Sequence, residues 1–239
     1  MTDLTKNQKA FQNLKKPKAI IFDWDNTLVD TWPLIQFSID ATMRKMGKEE
    51  WGLQKVKNSV HKSMRESFPE IFGENWQEAG EFYKNSYRAI HLNKLHFLDG
   101  ALELIKVINE LGILQFVVSN KIGSTLRKEV ENLGVKDLFF ACIGAGDALT
   151  DKPSKEPVEL ALLGSDLKLG SDEIFFIGDT IADVCCAYNS NCTPIIFSEE
   201  EGKISPTIPK DIAQNGLNNK ALPAVYFKHQ QLIDFLKKN

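Results

Sequence analysis

The chain has 239 residues, of which 43% are hydrophobic and 26% charged, and its formal net charge is −3. That length suits one large domain, or a domain carrying a smaller insertion, with the composition of an ordinary globular protein. The slightly acidic balance gives no bulk attraction to nucleic acid, and no apolar run is long enough to span a bilayer.

The polar, basic start MTDLTKNQKAFQNLKKPKAI lacks the apolar centre of a secretory signal, and residues 1–17 read as a flexible leader. AIIF (19–22) follows, a continuous apolar run of the kind found in strands buried on both faces. From Trp32 to His96 apolar and aromatic residues recur at helical spacing, Phe37, Ala41 and Met46 among them, so this stretch reads as several helices forming their own unit. Asp99 is expected to cap a helix with Ala101, Leu104, Ile105 and Ile108 on one face and Gly112 as its stop. Then come a strand over 113–120, a helix over 124–133 closed by Gly134, a strand over 139–146 and a helix over 156–163. EIFFIGD (173–179) is the strongest strand signal, followed by a helix near 182–188 and the strand PIIF (194–197). Residues 199–223 read as loop and 229–236 as a last helix. Strands alternating with helices indicate an α/β protein with a parallel sheet, its core spanning 18–31 and 97–239, with 32–96 inserted as an all-helical domain. The four cysteines, Cys142, Cys185, Cys186 and Cys192, lack the paired spacing of a zinc site and read as reduced thiols of a cytoplasmic protein.

Three apolar strands end in reactive side chains: AIIF in Asp23, LQFVV in Ser119 and Asn120, IFFIG in Asp179. In open parallel sheets, ligands bind outside the carboxyl ends of the strands, so these residues should meet in one crevice. Their types suit phosphoryl transfer, which needs positioning and charge neutralisation more than elaborate covalent chemistry. Asp23 and Asp179 offer the oxygen ligands that magnesium prefers, while a hydroxyl (Ser119), an amide (Asn120) and a lysine suit phosphate oxygens. A single Asp after a strand is ordinarily a turn residue or a cap; the conjunction carries the reading.

These residues also resemble the haloacid dehalogenase-like hydrolases, mostly magnesium-dependent phosphatases. The family's four short motifs occur in order: Asp23, Asp25 and Thr27 as DxDxT; Ser119 closing a strand; Lys152 before Pro153; and Gly178, Asp179 and Asp183 as GDxxxD. The match spans roughly residues 18–198, and FPEIFG (68–73) is similar to the phosphoglycolate phosphatase-like subgroup. The resemblance implies a Rossmann-like core with helices on both faces and a helical cap at 32–96. It implies that Asp23 attacks phosphorus and that Asp25 protonates the leaving oxygen and later activates water. Magnesium would sit between the Asp23 carboxylate, the backbone carbonyl of Asp25 and Asp179, with Asp183 binding through water or orienting its neighbours. Thr27, Ser119, Asn120 and Lys152 would hold the phosphate. Trp24 is expected to point away from the site into the core, because side chains alternate along a strand.

Asn26 stands where glycine is usual, and Asn tolerates unusual backbone angles. Lys155 is a second candidate for the third-motif lysine; Pro153 and Pro157 fix the register on Lys152. In the helical insertion, His61 and Arg65 lie four apart and would present a cationic face to an anionic substrate, although charged helix faces are usually just solvated. Asp30 is expected to cap the helix entering that unit. The expected activity is hydrolysis of a small phosphorylated metabolite, with no nucleic-acid or membrane partner. A sugar phosphomutase of the same family, or a catalytically silent binding module on this scaffold, are the alternatives.

Overall fold

A computed structural model describes residues 14–59, 64–198 and 223–238 of the chain. Most of the expected leader and nearly all of the expected loop at 199–223 lie outside those residues, as does His61.

Six parallel strands form one sheet: β1 (Ala19–Phe22), β2 (Leu114–Ile122), β3 (Ala141–Ala145), β4 (Ile174–Gly178), β5 (Thr193–Phe197) and β6 (Ala224–Tyr226). Their spatial order is β3-β2-β1-β4-β5-β6. The two central strands are buried on both faces, which is why AIIF and IFFIG carry no polar residue. Ile21, Phe116, Val118, Ile174 and Phe176 belong to one apolar cluster, completed by Val158, Ala161 and Cys186 from the helices. Burying each large side chain of this kind stabilises the fold by roughly 1.5–3 kcal/mol.

The chain leaves β1, adds β2 and β3 on one side, then returns to add β4 on the other. The crevice at such a reversal, beyond the carboxyl ends of β1 and β4, is where open α/β sheets bind ligands. Register aligns the two strand ends: Phe22 lies opposite Ile177, and the Asp23 N–H donates to the Ile177 carbonyl at 2.8 Å. Asp23 and Asp179 thereby start from neighbouring points on the sheet edge.

Among the described residues, the α-helices of this unit are α5 (Ala101–Glu110), α6 (Gly123–Asn132), α7 (Glu156–Ala161), α8 (Ile181–Asn189) and α9 (His229–Lys238). Asp99 does not cap α5. Gly100 holds the N-cap position at φ 75°, a left-handed angle that suits a residue without a side chain. Gly112 and Gly134 end their helices as expected, at φ 68° and 71°.

Residues 30–96 form a second compact unit, built from α1 (Trp32–Lys45), α2 (Gly52–Ser59), α3 (Met64–Phe72) and α4 (Trp76–Lys94). It has its own core of Ile39, Met43, Val56, Phe68, Phe72 and Ala79. Phe37, expected on the apolar face of α1, is instead 49% exposed; the buried stripe runs one step around the helix through Leu34, Ile39 and Met43. Thr31 occupies the N-cap of α1, while the Asp30 carboxylate accepts the Trp32 N–H at 3.2 Å from one residue further out. Among the described residues, no helix is long and apolar enough to cross a membrane.

Candidate active site

Asp23 leaves the end of β1 with only 6% of its surface exposed, and its neighbour is a lysine as buried as itself. Lys152 brings its ammonium to 2.9 Å from Asp23 Oδ1 and 2.6 Å from Asp183 Oδ1. Burial alone would lower the lysine's pKa, but Asp183 and Asp23 outweigh that effect and hold it above the usual lysine value. Lys155, the other candidate, is exposed and pairs with Glu159 one helical turn on, at 2.7 Å. Asn120 fixes the Lys152 segment, donating to the Lys152 carbonyl (3.1 Å) and accepting the Lys152 N–H (3.0 Å). Its side chain thereby anchors the backbone of the third-motif lysine.

The GDxxxD spacing has a local cause. Thr180 is the N-cap of α8 and Asp183 its third residue, so the Asp183 carboxylate folds back to accept the Thr180 N–H (3.0 Å) and hydroxyl (2.6 Å) on Oδ2. Its other oxygen takes Lys152. Both Asp183 oxygens therefore have partners within the protein. A Cβ at residue 178 would overlap that carboxylate, so only glycine fits at the last position of β4.

Carboxylate oxygens of Asp23, Asp179 and Asp183 all lie within 4.8 Å of one another. No hydrogen-bond donor is aligned on Asp23 Oδ1 among the described residues, so the Lys152 approach is a charge contact. Burial, then the charges of Asp23 and Asp183, push the Asp179 carboxyl well above the ordinary range; burial also raises Asp183, with Lys152 pulling the other way. Thr27 is wholly buried, and its hydroxyl reaches Asp179 Oδ1 at 3.4 Å. An inaccessible hydroxyl cannot touch substrate; Thr27 supports a carboxylate instead. Ser119 is 5% exposed within β2, which runs three residues further than the motif suggests, and its hydroxyl accepts the Lys121 N–H at 3.3 Å.

Asp25 stands in a turn made possible by Asn26, which takes φ 56°. Its carboxylate meets Lys121 at 2.6 Å, and Lys121 in turn meets Glu129 of α6 at 2.7 Å. Glu129 also accepts the Trp24 indole N–H at 2.8 Å. Trp24 thus points into the core as expected, set edge-on to Phe97 and Phe139. Burial raises the Asp25 carboxyl to about 6; Lys121 opposes the shift, while Glu129 and Asp23 add to it. Lys121 and Glu129 have no place among the sequence-derived site residues. The available signals were slight: Lys121 lies two past Ser119 on the same strand, and Glu129 shares the face of α6 with Leu126 and Val130. Of the two cationic residues expected in the insertion, His61 lies outside the described residues and the side chain of Arg65 is likewise not described.

An open parallel sheet presenting these acids and a buried lysine at its reversal point is the architecture of an α/β enzyme. The chain belongs to the haloacid dehalogenase-like hydrolase family, whose model matches residues 20–197, and it is a phosphatase-type hydrolase of that family. It is 28% identical over 216 residues to a phosphoglycolate phosphatase of Chromobacterium violaceum, covering 86% of this chain and 95% of that protein. A pyrophosphatase PpaX of Halalkalibacterium halodurans is 25% identical over 172 residues, covering 72% and 79%. Among solved structures, a HAD-superfamily hydrolase of Ehrlichia chaffeensis matches with a TM-score of 0.63 at 30% identity, over 95% of this chain and 98% of that one. A haloacid dehalogenase-like family protein of Streptococcus pneumoniae shares the fold with a TM-score of 0.76 at 19% identity, over 93% and 99%.

Proposed function

We propose that the protein is a magnesium-dependent phosphatase acting on a small phosphate monoester through an aspartyl-phosphate on Asp23. The observation that carries this reading is the convergence of Asp23, Asp179 and Asp183 around the single ammonium of Lys152 at the reversal point of the sheet. Three acids against one lysine leave an excess of negative charge in a buried space, and hard oxygen donors are what magnesium takes. Asp23 and Asp179 would hold the ion, together with the backbone carbonyl of Asp25, and Asp183 would stay in its orienting role. Bound there, magnesium would neutralise charge on the phosphoryl oxygens.

An Asp23 oxygen attacks phosphorus, and the bond to the leaving oxygen breaks as the new one forms. The electron pair departs with that oxygen, which takes the proton of the Asp25 carboxyl. Water then attacks the same phosphorus, Asp25 takes its proton, and inorganic phosphate leaves with Asp23 restored. Lys152 and the Ser119 hydroxyl steady the phosphoryl group, and Asn120 and Thr27 hold the residues that act. Four free thiols suit a reducing, cytoplasmic setting.

Release of phosphate from p-nitrophenyl phosphate, with and without magnesium, tests this reading. A panel of phosphoglycolate, sugar phosphates, nucleotides and inorganic pyrophosphate follows, the last because relatives carry that activity in their names. Magnesium-dependent turnover is expected; folded protein inert towards every member of the panel would refute it.

A further inference from the structure

We propose that Lys121 and Glu129 are positioning residues for Asp25, holding its carboxyl where it can give a proton to the leaving oxygen. The inference rests on the phosphatase reading above and extends it to two residues outside the family's motifs. Trp24 and Asp25 are neighbours in the chain, and their side chains are linked through a ring of contacts: indole N–H to Glu129, Glu129 to Lys121, Lys121 to Asp25. Exposure rises along that ring. The side chain of Glu129 is 0% exposed, that of Lys121 8% and that of Asp25 25%, so the anchored end is dry and the working end opens to solvent.

Burying a carboxylate and an ammonium together is costly, and an apolar pair of similar volume fills such space more cheaply. What the ion pair supplies that an apolar pair cannot is direction. Lys121 lies two residues after Ser119 in β2, and its N–H donates to the Ser119 hydroxyl at 3.3 Å, so the two are tied locally. Glu129 takes one side of the Lys121 ammonium and aims the rest at Asp25. Trp24, wedged between Phe97 and Phe139, fixes Glu129 in turn. Lys121 is committed to two carboxylates, whereas Lys152 faces the acids that carry the phosphoryl chemistry.

A misplaced proton donor matters in proportion to how badly the leaving oxygen needs the proton. p-Nitrophenolate departs with little help; phenolate, nearly the same size but more basic, needs it. The test is therefore kcat/KM for phenyl phosphate and for p-nitrophenyl phosphate, with magnesium, in the wild type, Glu129→Gln and Trp24→Phe. In Glu129→Gln, phenyl phosphate should lose about tenfold more than p-nitrophenyl phosphate. Trp24→Phe keeps the aromatic packing and removes the indole donor, and should shift the same ratio by about threefold. It also carries the test if Glu129→Gln does not fold. An unchanged ratio in the folded variants, with both esters losing equally, would overturn the inference and leave a merely structural pair. No release from either ester by the wild type would instead overturn the phosphatase reading itself.

Discussion

Two buried lysines each stand between two carboxylates in this molecule, and they serve different ends. Lys152 joins Asp23 to Asp183 with Asp179 close by, so negative charge exceeds positive there, and the proposed reading matches the excess with a divalent cation. Lys121 joins Asp25 to Glu129, and there the surplus is met by an indole N–H from Trp24 and by raised proton affinity of Asp25. On the proposed mechanism, one arrangement would serve the nucleophile and the other would keep a proton within reach of a leaving oxygen.

The sharpest way to break this contrast lies on the Lys152 side. Asp23→Asn should lower magnesium-dependent turnover by about 10⁴-fold or more, because an amide cannot replace the nucleophile; steady-state kinetics on the folded variant reads it. Lys152→Met should cost about 10²–10³-fold in kcat/KM and, without metal, about 3–5 kcal/mol of stability, since it leaves buried acids unpaired. Lys155→Met, which removes only an exposed partner of Glu159, should leave kinetics and thermal midpoint unchanged. If the two lysine variants exchange these phenotypes, the third motif is misplaced.

Two smaller effects sharpen the account. Magnesium at a hundred times its Kd should stabilise the wild type by about 2.7 kcal/mol and Asp179→Asn by much less, with EDTA reversing the gain in a thermal melt. His229 offers a control distant in kind. It stacks on Phe197, with ring centroids 4.4 Å apart, and burial lowers its pKa from 6.5 to about 4. Above pH 6.5 the ring is neutral in both states and contributes nothing. As the pH falls from 6.5 towards 4 the unfolded chain takes a proton that the folded one refuses, so stability declines by up to about 3 kcal/mol. The raised carboxyls of Asp25 and Asp179 act in the opposite direction over that range, so the slope is read as the difference between the wild type and His229→Gln in denaturant melts.

The sheet was legible because continuous apolar runs such as AIIF and IFFIG have few alternatives to a strand covered on both faces. Parallel register then carries Asp23 and Asp179 to one edge, so the strand-end residues of the candidate site could be read from the sequence. The three-residue β6 could not, being too short to show periodicity. Neither could the exchange of Asp99 for Gly100 at the start of α5, which turns on one positive φ. Thr27 was recognised for its motif position but not for its contact with Asp179, because burial and hydrogen-bond partners are tertiary facts. Glu129 was hidden most completely. In the sequence it reads as one more charge between Lys128 and Glu131, and only the contact across to β2 gives it meaning.

The account turns on a covalent phosphate at Asp23. Quenching the protein during turnover of p-nitrophenyl phosphate with magnesium, reducing it with borohydride and mapping its peptides by mass tests this most directly. Reduction of an acyl phosphate at that position should leave homoserine in place of Asp23, and none should form without substrate. Reduction at another carboxylate, or none at all while phosphate is being released, would contradict the central claim.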